Sequence, residues 1–128
     1  MTPSLSLSQI GQISIVVHDL DRAVAFYRDT LGMKFLFQVP PKMAFFDCGG
    51  VRLYLGLPEE SEHDHPASIL YYKVDDIQGA WAALCGRGAE LLREPHFLAK
   101  MPDHDLWMAF FKDSEGNTLA LMSEVRSA

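Results

Sequence analysis

Long apolar runs, basic clusters and abundant cysteine are all missing from this sequence. A membrane-spanning helix needs about 18 consecutive apolar residues, and no segment approaches that length. The 11 Lys and Arg residues stand singly among 17 Asp and Glu, which argues against a nucleic-acid partner and favours a neutral or cationic small molecule. Cys48 and Cys85 lack metal-type spacing, and residues 1–9 lack the pattern of a secretion signal. We therefore expect a cytoplasmic protein with free thiols and no membrane partner.

Apolar residues make up 48% of the 128 residues, which is enough for an ordinary core and predicts one domain spanning 1–128. In the first half of the chain, short alternating segments flank one segment with helical spacing. Asp19 suits the N-cap of that helix, and Gly32 suits its C-terminal end. The predicted elements of this half are strands over 10–17, 34–39, 43–46 and 51–57 and a helix over 20–31.

The second half of the chain repeats the order of the first. An acidic connector without periodicity, residues 58–67, separates the two halves. Asp76 stands where a second N-cap is needed, and glycines follow the helical segment. The predicted elements of this half are strands over 68–74, 89–93, 107–112 and 117–122 and a helix over 77–85.

Two offsets relate the halves and support an internal repeat. Adding 57 to the position of Asp19 gives Asp76, whereas adding 66 to the position of Asp47 in the first hairpin turn gives Asp113 in the second. The change of offset places extra residues in the second half before its last hairpin, most naturally over 96–105. We expect this insertion to be a hydrophilic loop and a candidate lid for a pocket.

Three motifs give the chain a resemblance to a known superfamily. They are VVHDLDRAVAFYRDTLGM at 16–33, VDDIQGAWAALCGRGAEL at 74–91 and FFKDSEGNTLALMSE at 110–124. The chain resembles the vicinal-oxygen-chelate superfamily, which contains glyoxalase I, bleomycin-resistance proteins, methylmalonyl-CoA epimerase, fosfomycin-resistance enzymes and extradiol dioxygenases. The resemblance implies an α+β fold of two tandem βαβββ units, about 10–57 and 68–124, whose curved mixed sheet of half-barrels encloses a pocket with the helices outside. It also implies a homodimer.

The resemblance further implies four positions for the ligands of a divalent metal. In this sequence they hold Gln12, Tyr54, Ile69 and Ala120. Ile69 and Ala120 carry no donor atom, and one glutamine amide cannot hold a metal alone. We therefore expect no cofactor. The glyoxalase, epimerase and dioxygenase chemistries are disfavoured as well, because each uses the metal to polarise or activate a substrate oxygen.

The leading hypothesis is therefore a protein that binds a small organic molecule without chemistry, as bleomycin-resistance proteins do. Strands with a helix on one face and a cavity on the other place about half of their aromatic residues in the cavity. Polar side chains among them would orient the ligand. The candidate ligand-binding residues are Gln12, Ser14, Tyr54, Tyr72, Trp107 and Thr118.

Two other hypotheses remain open at this point. One is a metal-dependent lyase, isomerase or dioxygenase that uses a non-standard ligand set, with Gln12 joined by His96 or His104. The other is a structural or partner-binding dimer whose pocket has collapsed. His63 and His65 lie in the acidic connector, where we expect solvent exposure. Neither cysteine has an inferable histidine partner, so nucleophilic catalysis is unsupported.

Overall fold

The computed structural model describes residues 5–40, 42–58 and 64–126. No helix in these ranges is long and apolar enough to cross a membrane. The elements of the first unit are β1 (Gln12–Val16), α1 (Leu20–Ala25, continued by a π-helical turn over Phe26–Thr30), β2 (Lys34–Val39), β3 (Met43–Cys48) and β4 (Val51–Gly56). The elements of the second unit are β5 (Leu70–Lys73), α2 (Ile77–Gly86), β6 (Glu90–Lys100), β7 (Asp105–Lys112) and β8 (Thr118–Val125).

Each unit forms one four-stranded mixed sheet. The strand orders are β1-β4-β3-β2 and β5-β8-β7-β6, so the first strand of each unit lies beside its last strand. That pair is parallel in both units, and the remaining pairs are antiparallel. Neither sheet closes into a barrel among the described residues. The α+β fold of two βαβββ units is confirmed.

Alternation along the strands gives every sheet one buried face. In the first unit Ile15, Phe46 and Leu53 are 2% exposed or less and pack towards α1. Because side chains alternate between the faces of a strand, their neighbours in sequence point to the other side. We call this other side, turned away from the helix, the open face of the sheet. The open face of the first sheet carries the candidate site.

The two units are joined by a buried hydrogen bond. The Tyr27 hydroxyl of the first unit donates to a carboxylate oxygen of Asp113 in the second, at 2.7 Å. The backbone N–H groups of Glu115 and Asn117 donate to the other oxygen of Asp113. Burial, together with the Asp113 charge, raises the pKa of Tyr27 far above its ordinary value. Tyr27 therefore stays a neutral donor to a carboxylate that also organises the β7–β8 turn.

The insertion over 96–105 is not a loop or a lid, and that prediction is wrong. β6 continues through it to Lys100, and β7 begins at Asp105. Only a tight turn remains, closed by the Met101 N–H bonding the His104 carbonyl at 2.8 Å. Pro95 is tolerated because β6 is the edge strand, and irregularities in the β6–β7 register absorb the extra residues.

Candidate ligand-binding site

An aromatic surface runs across the open face of the first sheet. The strand register places Ser14 beside Tyr54, Tyr54 beside Phe45 and Phe45 beside Phe37. The ring centroids of Phe37 and Phe45 are 4.7 Å apart, and those of Phe45 and Tyr54 are 5.2 Å apart. We call Phe37, Phe45 and Tyr54 the aromatic shelf. Phe37 is exposed, and Phe45 and Tyr54 are half-buried. Contiguous rings of this kind are typical of surfaces that bind ligands or partners.

Tyr54 takes its position on the shelf because of Gly56. Both residues lie on the open face, two positions apart on β4. A Cβ atom added at Gly56 would come closer than 3.0 Å to three atoms of the Tyr54 ring, including its hydroxyl oxygen. The ring therefore lies directly over the glycine backbone, a close approach that only glycine permits.

Tyr54 also forms one wall of a cavity of about 390 Å³. This volume falls in the range of about 300–1,000 Å³ that is usual for small-molecule sites. The polar groups in the wall are the hydroxyls of Ser14 and Tyr54 and the imidazole of His65. The full lining is Ser14, Val16, Tyr54, Gly56, Leu57, Pro58 and His65.

A row of charged side chains borders the shelf on the same face. The register aligns Gln12, Arg52, Asp47 and Lys34 across the four strands. The Arg52 guanidinium lies over the Phe45 ring, 5.7 Å from its centroid, within cation–π range. Asp47 accepts the backbone N–H of Gly50 at 3.2 Å and so closes the β3–β4 turn.

The structure divides the six predicted ligand-binding residues between two sides of the sheets. Gln12, Ser14 and Tyr54 lie together on the open face of the first sheet. Thr118 lies on the open face of the second, because its neighbour Leu119 is buried.

Tyr72 and Trp107 lie instead on the helix side of the second sheet, away from the shelf. Tyr72 lines a small cavity under α2, and Trp107 lies beside Ile77 at the start of that helix. The sequence offered two adjacent tyrosines on β5, and Tyr71, not Tyr72, takes the open face.

Sequence reasoning missed Phe37, Phe45, Arg52 and His65. The alternation in β3 contains the signal for Phe45, because Ala44 and Phe46 are buried on the helix side. The contact with Phe37 depends on the β2–β3 register, which includes a bulge and has no signature in the sequence. His65 is exposed as expected, yet it lines the cavity, while His63 lies outside the described residues.

The four implied metal positions do not form a donor set. Ile69 is 45% exposed and Ala120 is fully buried, and neither has a donor atom. Among residues 5–40, 42–58 and 64–126, no group of three or more His, Cys, Asp or Glu side chains is placed to hold a metal ion. Gln12 and Tyr54 alone do not satisfy a divalent cation. The residues present therefore do not fit the metal that the resemblance implies.

The two histidines of the insertion have other partners. The His96 ring bonds the Glu94 carbonyl through Nδ1 at 2.9 Å and stacks on Phe110. Nδ1 of His104 lies 2.7 Å from an Asp103 oxygen. His96 lies on β6 of the second sheet and His104 in the β6–β7 turn, whereas Gln12 belongs to the first sheet.

Glu115, in the β7–β8 turn of the second unit, contacts the N-terminus of α1 in the first unit. Its carboxylate accepts the backbone N–H groups of His18 at 2.7 Å and Asp19 at 3.3 Å, and the Arg22 guanidinium at 3.3 Å. A carboxylate at a helix N-terminus is stabilised by the helix dipole. Although burial alone would raise the pKa of Glu115, the hydrogen bonds from His18, Arg22 and Asp19 lower it overall.

His18 links this contact to the connector. Its Nε2 lies 2.9 Å from Asp64, and its Nδ1 lies 3.2 Å from Glu115. The hydrogen bond with Asp64 is the main cause that raises the pKa of His18 above its ordinary 6.5, followed by the Asp64 charge and the bond with Glu115.

These two shifts predict a pH window for the contact between the units. The pKa of His18 is raised in the folded protein, so its contribution to stability is complete below pH 6.5 and is lost as the pH rises through the folded value. The pKa of Glu115 is lowered, so its contribution is present above pH 4.5 and is lost as the pH falls through the folded value. Urea unfolding of the wild type from pH 4 to pH 9 should lose stability at both ends. His18→Gln should reduce the alkaline loss and leave the acid loss unchanged, and an unchanged alkaline limb in that variant would contradict the assignment.

Comparisons with known proteins agree with the architecture. Residues 9–121 match the Glyoxalase/Bleomycin resistance protein/Dioxygenase superfamily. A glyoxylase-like domain-containing protein of Didymella fabae is 31% identical over 122 residues, covering 88% of this chain and 91% of that protein.

Solved structures share the fold at lower identity. A lactoylglutathione lyase from Agrobacterium tumefaciens superposes with a TM-score of 0.74 at 21% identity, covering 92% of this chain and 95% of the other. TnmS3, an antibiotic binding protein from Streptomyces sp. CB03234, superposes with a TM-score of 0.70 at 23% identity, covering 94% of this chain and 99% of the other.

Proposed function

The chain belongs to the Glyoxalase/Bleomycin resistance protein/Dioxygenase superfamily, and on this premise we propose that it binds and sequesters a small planar organic molecule without metal-dependent chemistry. The observation that carries the proposal is the aromatic shelf beside the 390 Å³ cavity, with Tyr54 common to both. Adjacent rings, inclined to each other by 30° and 41°, provide a contiguous, largely apolar surface, and the polar groups of Ser14 and His65 fix the orientation of a ligand at its edge. TnmS3, described as an antibiotic binding protein, has the same fold.

The lack of a donor set separates this proposal from the enzymatic alternatives. A lyase, isomerase or dioxygenase of this superfamily would use a metal as a Lewis acid. Ile69 and Ala120 offer no lone pair at two of the four positions. Binding by shape and stacking needs no such group.

We also propose that the protein works as a cytoplasmic homodimer. Tyr71 is 46% exposed and Ile69 is 45% exposed on the open face of the second sheet. A second copy would bury these side chains, whose exposure in water is unfavourable. Cys48 and Cys85 are free thiols, which suits a reducing compartment.

A thermal-shift screen with and without chelation tests the proposal. Protein purified without chelator is screened against planar aromatic drugs and metabolites, and a true ligand raises the melting temperature through mass action. We expect hits to give the same shift after treatment with EDTA. Stoichiometric zinc, nickel, manganese or iron that disappears in Gln12→Ala, together with loss of the shift in EDTA, would establish the metal-dependent alternative.

A further inference from the structure

The charge beside the aromatic shelf has the opposite sign to the charge of the whole protein. The chain carries a formal net charge of -6, which by itself favours a cationic guest. The row that borders the shelf contains two cations, Arg52 and Lys34, and one anion, Asp47. Exposed charges more than about 10 Å away are largely screened at ordinary ionic strength. Along this border a ligand on the shelf therefore meets a local excess of positive charge, while Asp64 and Glu115 lie on the side of Val16 and His65 in the cavity wall.

Arg52 is the member of this row that can reach a ligand. Its guanidinium already lies over Phe45, the central ring of the shelf. The side chain is exposed, and it makes no ion pair or side-chain hydrogen bond with another described residue. Asp47, its neighbour in register, directs an oxygen to the Gly50 N–H of the turn. Among residues 5–40, 42–58 and 64–126, no acceptor side chain therefore occupies the donors of Arg52.

The chemistry of the Arg52 guanidinium determines which ligand group it binds best. It is planar, remains charged at any relevant pH and offers donors in a fork that matches a carboxylate or phosphate. The cation–π contact with Phe45 keeps the guanidinium beside the shelf. A flat ligand that covers Tyr54 and Phe45 would bring a substituent on its edge to this fork.

We infer that the shelf selects planar aromatic ligands that carry an anionic group, and that Arg52 binds this group and determines the specificity. The inference rests on the proposed function, because it names the ligand class of the same site. Ser14 lies beside Tyr54 in the strand register, and both line the cavity with His65. The site therefore offers an anion-binding group, an aromatic surface and polar groups in the cavity wall.

A matched pair of probes tests the inference. 2-Naphthoate and 2-naphthamide have nearly the same shape and differ in charge. Titration of each, followed by amide chemical shifts in NMR spectra at 50 mM salt, should give a dissociation constant about tenfold lower for the naphthoate, the ratio expected for one charge-assisted hydrogen-bonded contact. Arg52→Gln should remove this preference by lowering the naphthoate affinity more than the naphthamide affinity. Arg52→Lys should restore only part of it, because an ammonium lacks the planar fork. Arg93→Gln, at an exposed arginine of the second sheet, should change neither affinity.

The outcomes distinguish a failure of the anion specificity from a failure of the proposed ligand binding on the aromatic shelf. Equal affinities for the two probes, with Arg52→Gln silent and Tyr54→Ala weakening both, would overturn the anion specificity and leave the shelf as the binding site. Shifts that avoid the shelf altogether, with Tyr54→Ala silent, would overturn the proposed function as well. A naphthoate preference that persists in Arg52→Gln but disappears in Lys34→Gln would also overturn the assignment to Arg52.

Discussion

Replacing Tyr54 by alanine should weaken ligand binding by about tenfold, since an aromatic contact is worth roughly 0.5–1.5 kcal/mol beyond the buried area of the ring and about 1.4 kcal/mol is a factor of ten in affinity. Tyr54 is the residue that the shelf and the 390 Å³ cavity share, so its removal opens the cavity wall and shortens the stacking surface together. The affinity of any hit from the thermal-shift screen, measured by calorimetry, checks the expectation.

Tyr71→Ala is the matched control for this variant. Tyr71 lies on the open face of the second sheet, on β5, and contacts Phe110 edge to face. It is a tyrosine in a strand, like Tyr54, yet it is not part of the shelf. The control should keep the wild-type affinity, and an equal loss in both variants would mean that the ligand does not lie on the shelf.

Gly56→Ala offers a second way to disturb the same ring. The added methyl group must displace the Tyr54 ring, which can rotate away because the close atoms are at the end of its side chain. We expect a stable, folded variant whose affinity falls in the same direction as that of Tyr54→Ala. Circular dichroism verifies the fold, so that a loss of binding is not mistaken for unfolding.

Replacing Asp113 by alanine should lower the free energy of unfolding by about 3 kcal/mol, because each hydrogen bond to a charged acceptor is worth about 1.5–3 kcal/mol. The substitution leaves the buried hydroxyl of Tyr27 without its acceptor and removes the acceptor for the N–H groups of Glu115 and Asn117. Each buried donor left unpaired costs roughly 1–3 kcal/mol. Urea denaturation monitored by tryptophan fluorescence measures the change.

The internal repeat supplies the control for this second prediction. Asp47 occupies the equivalent turn of the first unit, but its side chain accepts only the Gly50 N–H among the described residues, at 3.2 Å. Asp47→Ala should therefore cost about 1 kcal/mol, as the loss of one ordinary hydrogen bond does. Equal destabilisation by the two variants would show that the bond between the units contributes nothing of its own.

The order of the elements could be predicted from the sequence because it depends on local signals. Asp19 and Asp76 were predicted as N-caps, and each accepts a backbone N–H three residues later. β2 was predicted with its observed bounds of 34–39. The continuation of β6 to Lys100 could not be predicted, because a proline and polar residues suggest a loop unless the strand is known to lie at a sheet edge.

The candidate site was only partly predictable for a related reason. Alternation placed Gln12 and Ser14 on one face of β1 correctly, since apolar residues fill the other. On β5 both Tyr71 and Tyr72 are aromatic, so alternation alone could not decide which of them faces the helix. The approach of Phe45 to Phe37 and of Arg52 to Phe45 depends on register between strands, which is a tertiary property.

The turn that carries Asp113 and Glu115 also determines whether the first unit could fold as a separate fragment. Asp113, near the C-terminus of the protein, accepts the hydrogen bond of Tyr27. Glu115, in the same turn, accepts a hydrogen bond at the start of α1 near the N-terminus of the protein. A fragment ending at the connector would thus keep Asp19 as the N-cap of α1 but lose the Glu115 contact at that end. It would also leave the buried Tyr27 hydroxyl without its acceptor. A chimaera or fusion that contains only the first unit would therefore also need the β7–β8 turn of the second unit.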